Sequence, residues 1–289
     1  METYILVLLS AMLALTGSNT SAQQKGGKTQ SPLVVFVTGD HEYSSEGTMP
    51  LLAKALRENY KMRTIVLKSA PDHRSEENIP GLEALEKADL AIFFLRWRRL
   101  PADQIKYIEN YINSGKPIIG FRTSTHAFNY PAGHPLEKWN AFGEFALGAP
   151  PGWGGKAGHT HCGHTCSTDV SVIDSVASHP VLYGVDKSFH ASSWLYKVLP
   201  DYPAQGSTWL LMGKAVNSEK ESFIDNPVAW TWHTEKGAKV FTTTLGHPDD
   251  FRIEAFQRLI VNAIHWALQR PVPKTWRRID INVPYHGLE

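Results

Sequence analysis

A chain of 289 residues, 42% hydrophobic and 20% charged, is long enough to bury one sizeable core and reads as one elaborated domain. Its 29 basic residues nearly balance its 28 acidic ones, for a formal net charge of +1, and no basic run carries interleaved aromatics. That excludes a surface built to track a phosphate backbone, so nucleic acid is not an expected partner. Nine tryptophans and thirteen histidines instead suit a polar cleft lined by aromatic rings.

The apolar run ILVLLSAMLAL at residues 5–15 is too short to span a bilayer as a mature helix, and the small residues Thr20, Ser21 and Ala22 follow it. A signal peptide over residues 1–22, cleaved after Ala22, is expected, giving a secreted or periplasmic protein with no stable membrane insertion. Residues 23–31 form a polar linker. The folded domain is expected over 32–269, with a tail over 270–289 that wraps the surface.

Pro32 to Thr38 is an apolar run that predicts a buried strand, and it empties into Gly39, Asp40, His41, Glu42 and Tyr43. Asp40 or Ser44 in addition suits a cap for the helix that follows. That helix covers residues 47–59, a second strand Met62 to Leu67, and a third strand Ala88 to Leu95, which ends at Arg96, Trp97, Arg98 and Arg99. Arginines fixed at a strand end suit recognition of carboxylate, phosphate or sugar oxygens. Pro101 to Ser114 is a helix closed by Gly115, and it delivers the chain into Pro117 to Phe121, a central strand. Arg122, Thr123, Ser124, Thr125 and His126 come next, where ligands bind in open α/β sheets. The G-x-S-x-G pattern of a nucleophile elbow is absent there, and so is any cysteine. Strands and helices alternating in this way predict an α/β fold with a doubly wound, mostly parallel sheet and a helix in each crossover.

Residues 129–167 break the regularity with glycine, proline and aromatic residues. Within them the stretch from Gly152 to Cys166, GWGGKAGHTHCGHTC, contains three histidines, His159, His161 and His164, between and beside Cys162 and Cys166. Imidazole and thiolate suit zinc or another divalent metal, although the spacing matches no standard zinc module. The same residues also suit a metal-free polar site, and in an oxidising compartment the two cysteines suit a disulfide. Further strands follow at Asp169 to Ile173, Trp209 to Met212 and Val228 to His233. A last strand, Lys239 to Leu245, empties into Gly246, His247, Pro248, Asp249 and Asp250 before a helix over 251–268.

These pieces resemble the ThuA-like (trehalose utilisation) family. The resemblance is carried by GDHEY at 39–43, GKPIIGFRTSTHAF at 115–128, GHTHCGH at 158–164, HPVLYGV at 179–185, and NPVAWTW followed by KVFTTTLGHPDDF and VNAIHWAL. It implies a flavodoxin-like sheet of the class I glutamine amidotransferase type, without that enzyme's cysteine and so without glutamine hydrolysis. It also implies carbohydrate metabolism, with a small-molecule sugar as partner, and it puts His41, Arg122, His126, His159, His161 and His247 at the site. Several family members carry Gly-x-His at the central turn, where this chain has Arg122.

The chemistry that fits is proton transfer beside a sugar carbonyl, which needs a neutral imidazole as base and a guanidinium for the developing oxyanion. The expected catalytic residues are His126 or His41 as base and Arg122 as oxyanion holder. Glu42, Arg98, Arg99, His159, His161 and His247 are expected to bind substrate, Glu42 also being a candidate acid. His159, His161 and His164 are candidate ligands for a divalent metal that would polarise the carbonyl or activate water. A second possibility is a non-catalytic carbohydrate-binding protein with Trp97 and Trp153 as stacking platforms. A third is a zinc-dependent hydrolase.

Overall fold

Every residue of the first strand, LVVFVTG, is buried, as its unbroken apolar run predicts for a strand covered on both faces. In the computed structural model, which describes Met1 and residues 30–153 and 160–287, the elements begin with β1 (Leu33–Gly39), α1 (Ser45–Tyr60), β2 (Arg63–Leu67), β3 (Leu90–Leu95), α2 (Ala102–Asn113), β4 (Ile118–Phe121) and α3 (Phe142–Leu147). They continue as β5 (Thr160–His161), β6 (Ser167–Val172), β7 (Ser188–Ala191), β8 (Tyr196–Lys197), β9 (Thr208–Val216), β10 (Asn226–His233), β11 (Lys239–Thr243) and α4 (Glu254–Ala267). The expected signal peptide after its first residue, most of the linker, and His159 lie outside the described residues. From Ser31 onward the chain is one compact unit.

Nine strands make one sheet in the order β2-β1-β3-β4-β11-β10-β9-β6-β7. The first five are parallel neighbours, and the sheet continues from β11 to β7 through antiparallel pairs. The parallel half follows the flavodoxin-like winding, with its switch point between β1 and β3. Alternation along each strand then decides which helix it meets. Val34 and Phe36 pack with Phe94 and Phe121 under α1 and α4, while Val35 and Val37 pack with Phe93 and Ile118 under α2 and α3. Helices on both faces are what a doubly wound α/β sheet requires.

Two expectations change. Between β2 and β3 the chain makes a six-residue 3-10 turn, Leu82–Lys87, in place of a helix. Pro71, Pro80 and Gly81 leave no uninterrupted stretch there for a longer one. The irregular segment after His126 carries α3, which packs directly on the turn after β4. Gly143 permits that approach, because a Cβ there would stand 2.3 Å from the Thr125 carbonyl oxygen.

The tail is anchored as well as superficial. The Gln257 Nε2 donates to the Ile279 carbonyl at 2.7 Å, its Oε1 accepts from the Ile279 N–H at 2.9 Å, and Ile279 and Ile281 are buried. Among the described residues no helix is long and apolar enough to cross a membrane.

Candidate active site

The carboxyl ends of β1, β3, β4 and β11 open on one crevice, and the backbone there is strained. His41, Trp97 and Arg122, within two residues of the ends of β1, β3 and β4, hold positive φ values of 40°, 53° and 39°. Left-handed non-glycine residues persist only where the surrounding structure over-determines them, and they gather at functional sites.

After β1, Asp40 is buried and its carboxylate accepts the backbone N–H groups of Glu42, Tyr43 and Ser45, so it fixes the turn into α1. His41 projects between two arginines. Its Nε2 lies 3.0 Å from an Arg96 terminal nitrogen, and its Nδ1 faces Arg98. Burial, then the charges of Arg98 and Arg96, lower its pKa to about 4. Guanidinium groups only donate, and a neutral imidazole offers one lone pair, so His41 accepts from only one arginine in either tautomer. Arg98 is fully buried and otherwise bonded to the Arg96 and Ser75 carbonyls and the Ser69 hydroxyl. Arg96 pairs with the buried Glu42 carboxylate at 2.7 Å and lies over the Trp97 ring at 3.4 Å. Charge-assisted contacts of this kind, sheltered from water, are stronger than exposed ones.

After β4 the chain turns through a 3-10 segment, Arg122–His126, all of it buried. Ser124 donates to the Phe93 carbonyl and accepts from the Leu95 N–H, which ties the turn to β3. The Thr125 hydroxyl lies 3.0 Å from His126 Nδ1. Arg122 points into the protein. Its guanidinium donates to the carbonyls of Thr244 (2.9 Å) and Trp194 (3.3 Å) and to the Tyr43 hydroxyl (2.8 Å), with the Tyr43 and Tyr196 rings 4.1 and 4.6 Å from its carbon.

The remaining walls are aromatic. β5 pairs with β8, setting His161 opposite Tyr196, and the Cys162–Cys166 disulfide closes the loop that follows. The Glu219 carboxylate holds that loop by accepting from the His164 and Thr165 N–H groups. Trp153 lies 4.8 Å from the His126 ring and 5.5 Å from His161, and Trp194 lies 5.1 Å from His161. Burial, then His164 and Arg122, lower the His161 pKa to about 4. After β11, His247 is buried against Tyr285 and its Nδ1 accepts the Asp249 N–H. Burial is also the largest influence on His247, and its pKa lies below the usual value. Asp250 accepts from the N–H groups of Ser192, Ser193, Gly246 and His247, which locks the β11 loop to the segment before β8.

Among the residues expected from the sequence, His41, Glu42, Arg98, Arg122, His126, His161 and His247 all lie around this crevice, but in different layers. Arg122 and Arg98 are enclosed and their terminal nitrogens are turned to protein partners, so they shape the site from behind. Arg99 is not brought in; it is exposed and pairs with Glu76 at 2.9 Å. His164 has its ring 4.7 Å from His161. Among the described residues no three His, Cys, Asp or Glu groups gather at metal-binding distance, and the sulfurs of Cys162 and Cys166 are joined to each other. Sequence reasoning named Arg96 and Tyr43 at the strand ends without giving either a specific role, and it passed over Trp194, Tyr196 and Tyr285.

The depressed histidines set an acid limit on stability. His41 and His161 titrate near pH 4 when folded and near 6.5 when unfolded, so as pH falls the unfolded chain takes up their protons first. Their contribution is intact above pH 6.5 and is lost between 6.5 and 4. Calorimetric melting temperatures should fall across that window, and the fall should shrink in His41→Gln; identical profiles would exclude His41 as a contributor.

A family model described as "Trehalose utilisation", ThuA, matches residues 33–267. The chain belongs to the ThuA family. Two solved structures of ThuA-like proteins share its fold. The one from Parabacteroides merdae has a TM-score of 0.63 at 16% identity, covering 85% of this chain and 93% of that one. The one from Bacteroides uniformis has a TM-score of 0.53 at 18% identity, covering 84% and 94%. No curated protein matches the chain. The ThuA match spans all four strand ends of the crevice and stops short of the tail that carries Tyr285.

Proposed function

We propose that this ThuA family member is a carbohydrate-processing enzyme acting on a glycoside or an oxidised (keto) sugar by imidazole-assisted proton transfer. The observation that carries the proposal is the Trp97 ring, with Arg96 on its face at 3.4 Å and His126 6.3 Å away, beside the buried Glu42–Arg96 pair. A base and a cation thus lie beside one aromatic ring. Sugars present apolar ring faces and polar edges, which aromatic walls with a few fixed polar groups match.

In this mechanism His126 removes a proton from the carbon next to the sugar carbonyl. The C–H electron pair becomes the enolate, whose oxygen charge faces the Arg96 guanidinium, and the proton stays on the imidazole until it is returned to carbon. Arg96 takes the role expected of Arg122, because Arg122 is fully buried with its terminal nitrogens bonded to two carbonyls and Tyr43. Glu42 holds Arg96 in place, and His41 supports the same arginine from its other side. A divalent metal held by His161 and its neighbours would supply Lewis-acid polarisation instead. We also take the protein to be exported to an oxidising compartment, which the Cys162–Cys166 disulfide supports.

The test is turnover of 3-keto and ordinary glucosides by the purified protein, before and after chelation, with metal analysis alongside. Chelator-resistant turnover is the expected result. Chelator-sensitive turnover with about one metal per chain would move the electrophile from Arg96 to a metal. Sugar binding without turnover would make the protein a carbohydrate-binding module with Trp97 and Trp153 as its platforms, and neither binding nor turnover would sink the proposal.

A further inference from the structure

Next to His41 lies a cavity of about 410 Å³, and residues far outside the ThuA match help to wall it. His41, Glu46 and His73 line one side; Val283, His286 and Gly287 line the other. Several features seat this C-terminal segment. The Ser44 hydroxyl donates to the Pro284 carbonyl at 3.2 Å, reaching across from the start of α1. Gly47, in the first turn of α1, leaves room for Val283, whose Cγ1 would stand 2.9 Å from a Cβ at that position. The Tyr285 ring stacks on Tyr43 at 5.7 Å with an interplanar angle of 18°, and lies 4.3 Å from His247. Burial raises the pKa of its phenol, and the charged groups that act on it are Glu42, Arg122, Asp40 and Arg96. The ring is therefore packed on the crevice's own aromatic wall, and its hydroxyl stands within the field of the crevice's charged groups.

We propose that residues 283–287 complete the ligand site, with Tyr285 in contact with the bound sugar and the segment closing the cavity so that it limits ligand length. This inference rests on the carbohydrate function proposed above. A half-buried tyrosine packed on Tyr43 and beside His247, next to the cavity lined by its neighbours Val283 and His286, gives a sugar ring an aromatic contact and a hydroxyl partner at little cost in side-chain order. Val283 and His286 form the end wall, beyond which a longer saccharide would have to displace the segment.

Calorimetric titration of the full chain with trehalose and with a 3-keto glucoside tests it. Tyr285→Ala should weaken binding of whichever sugar the intact chain takes by about tenfold, and Tyr285→Phe by less, with melting temperatures unchanged. Saturating sugar should also slow removal of residues 283–287 by carboxypeptidase. If Tyr285→Ala fails to fold, Tyr285→Phe and the digestion rates decide. Wild-type affinity in the folded variants, together with digestion indifferent to sugar, would overturn the inference and leave the proposed function standing. An intact chain that binds neither sugar would overturn both.

Discussion

Replacing His126 with alanine should lower turnover of the sugar substrate by about 10²–10⁴-fold, the range that a positioned general base supplies. The side chain is buried, with Nδ1 at the Thr125 hydroxyl and the ring 4.8 Å from Trp153 and 6.2 Å from Tyr196. Because alanine leaves a void, His126→Gln belongs beside it: the amide keeps a polar partner for Thr125 and fills most of the space, but takes up no proton. Both variants should be slow while their melting curves stay cooperative, and the loss should appear in kcat more than in KM, as it does when a group acts only in the transition state. Near-normal turnover in His126→Gln would transfer the base role to another group, with His41 first in line.

Arg122→Leu should instead damage the fold. The guanidinium is fully buried and satisfies the carbonyls of Thr244 and Trp194, one at the end of β11 and the other just before β8. Leucine leaves two carbonyls and the Tyr43 hydroxyl without their donor and removes the cation held between the Tyr43 and Tyr196 rings. Each buried acceptor left unpaired costs about 1–3 kcal/mol, so the three together cost on the order of 3–9 kcal/mol. For a chain of this size that corresponds to a drop in melting temperature on the order of 10 °C. A shift of less than about 2 °C in calorimetry would mean that the arginine's interactions contribute little net stability.

The contrast between these residues shows where the sequence is legible. GDHEY and RTSTH stand out because a buried apolar strand ends abruptly in polar groups, and position along a parallel strand is enough to put them at the crevice. Depth is not encoded that way. Arg122 and His126 belong to the same short turn, yet one points inward to the β11 end and the other towards Trp153, a difference that follows from the left-handed φ at Arg122 and from α3 pressing on Thr125. The arginines after β3 show the same limit, since Arg96 faces Glu42 while Arg99 turns out to Glu76. Trp194, Tyr196 and Tyr285 carry no titration or motif signal, Tyr43 is marked only as the last residue of GDHEY, and tertiary packing alone makes the four one wall. The parallel half of the sheet follows from apolar runs and short crossovers. The antiparallel half follows less readily, because β6, β7 and β9 are partly exposed and mix polar with apolar residues.

β4 and β11 are neighbours in the sheet although the rest of the strands from β5 to β10 lie between them in the chain, and the Arg122–Thr244 bond at their tips joins residues 122 positions apart. At typical rates of synthesis, about ten seconds pass between the emergence of one partner and that of the other. For that interval the nascent protein carries Ile118–Phe121 as an open, wholly apolar strand edge, a template for pairing with another chain. The floor of the crevice thus stays an unpaired edge until one of the last elements of the chain arrives.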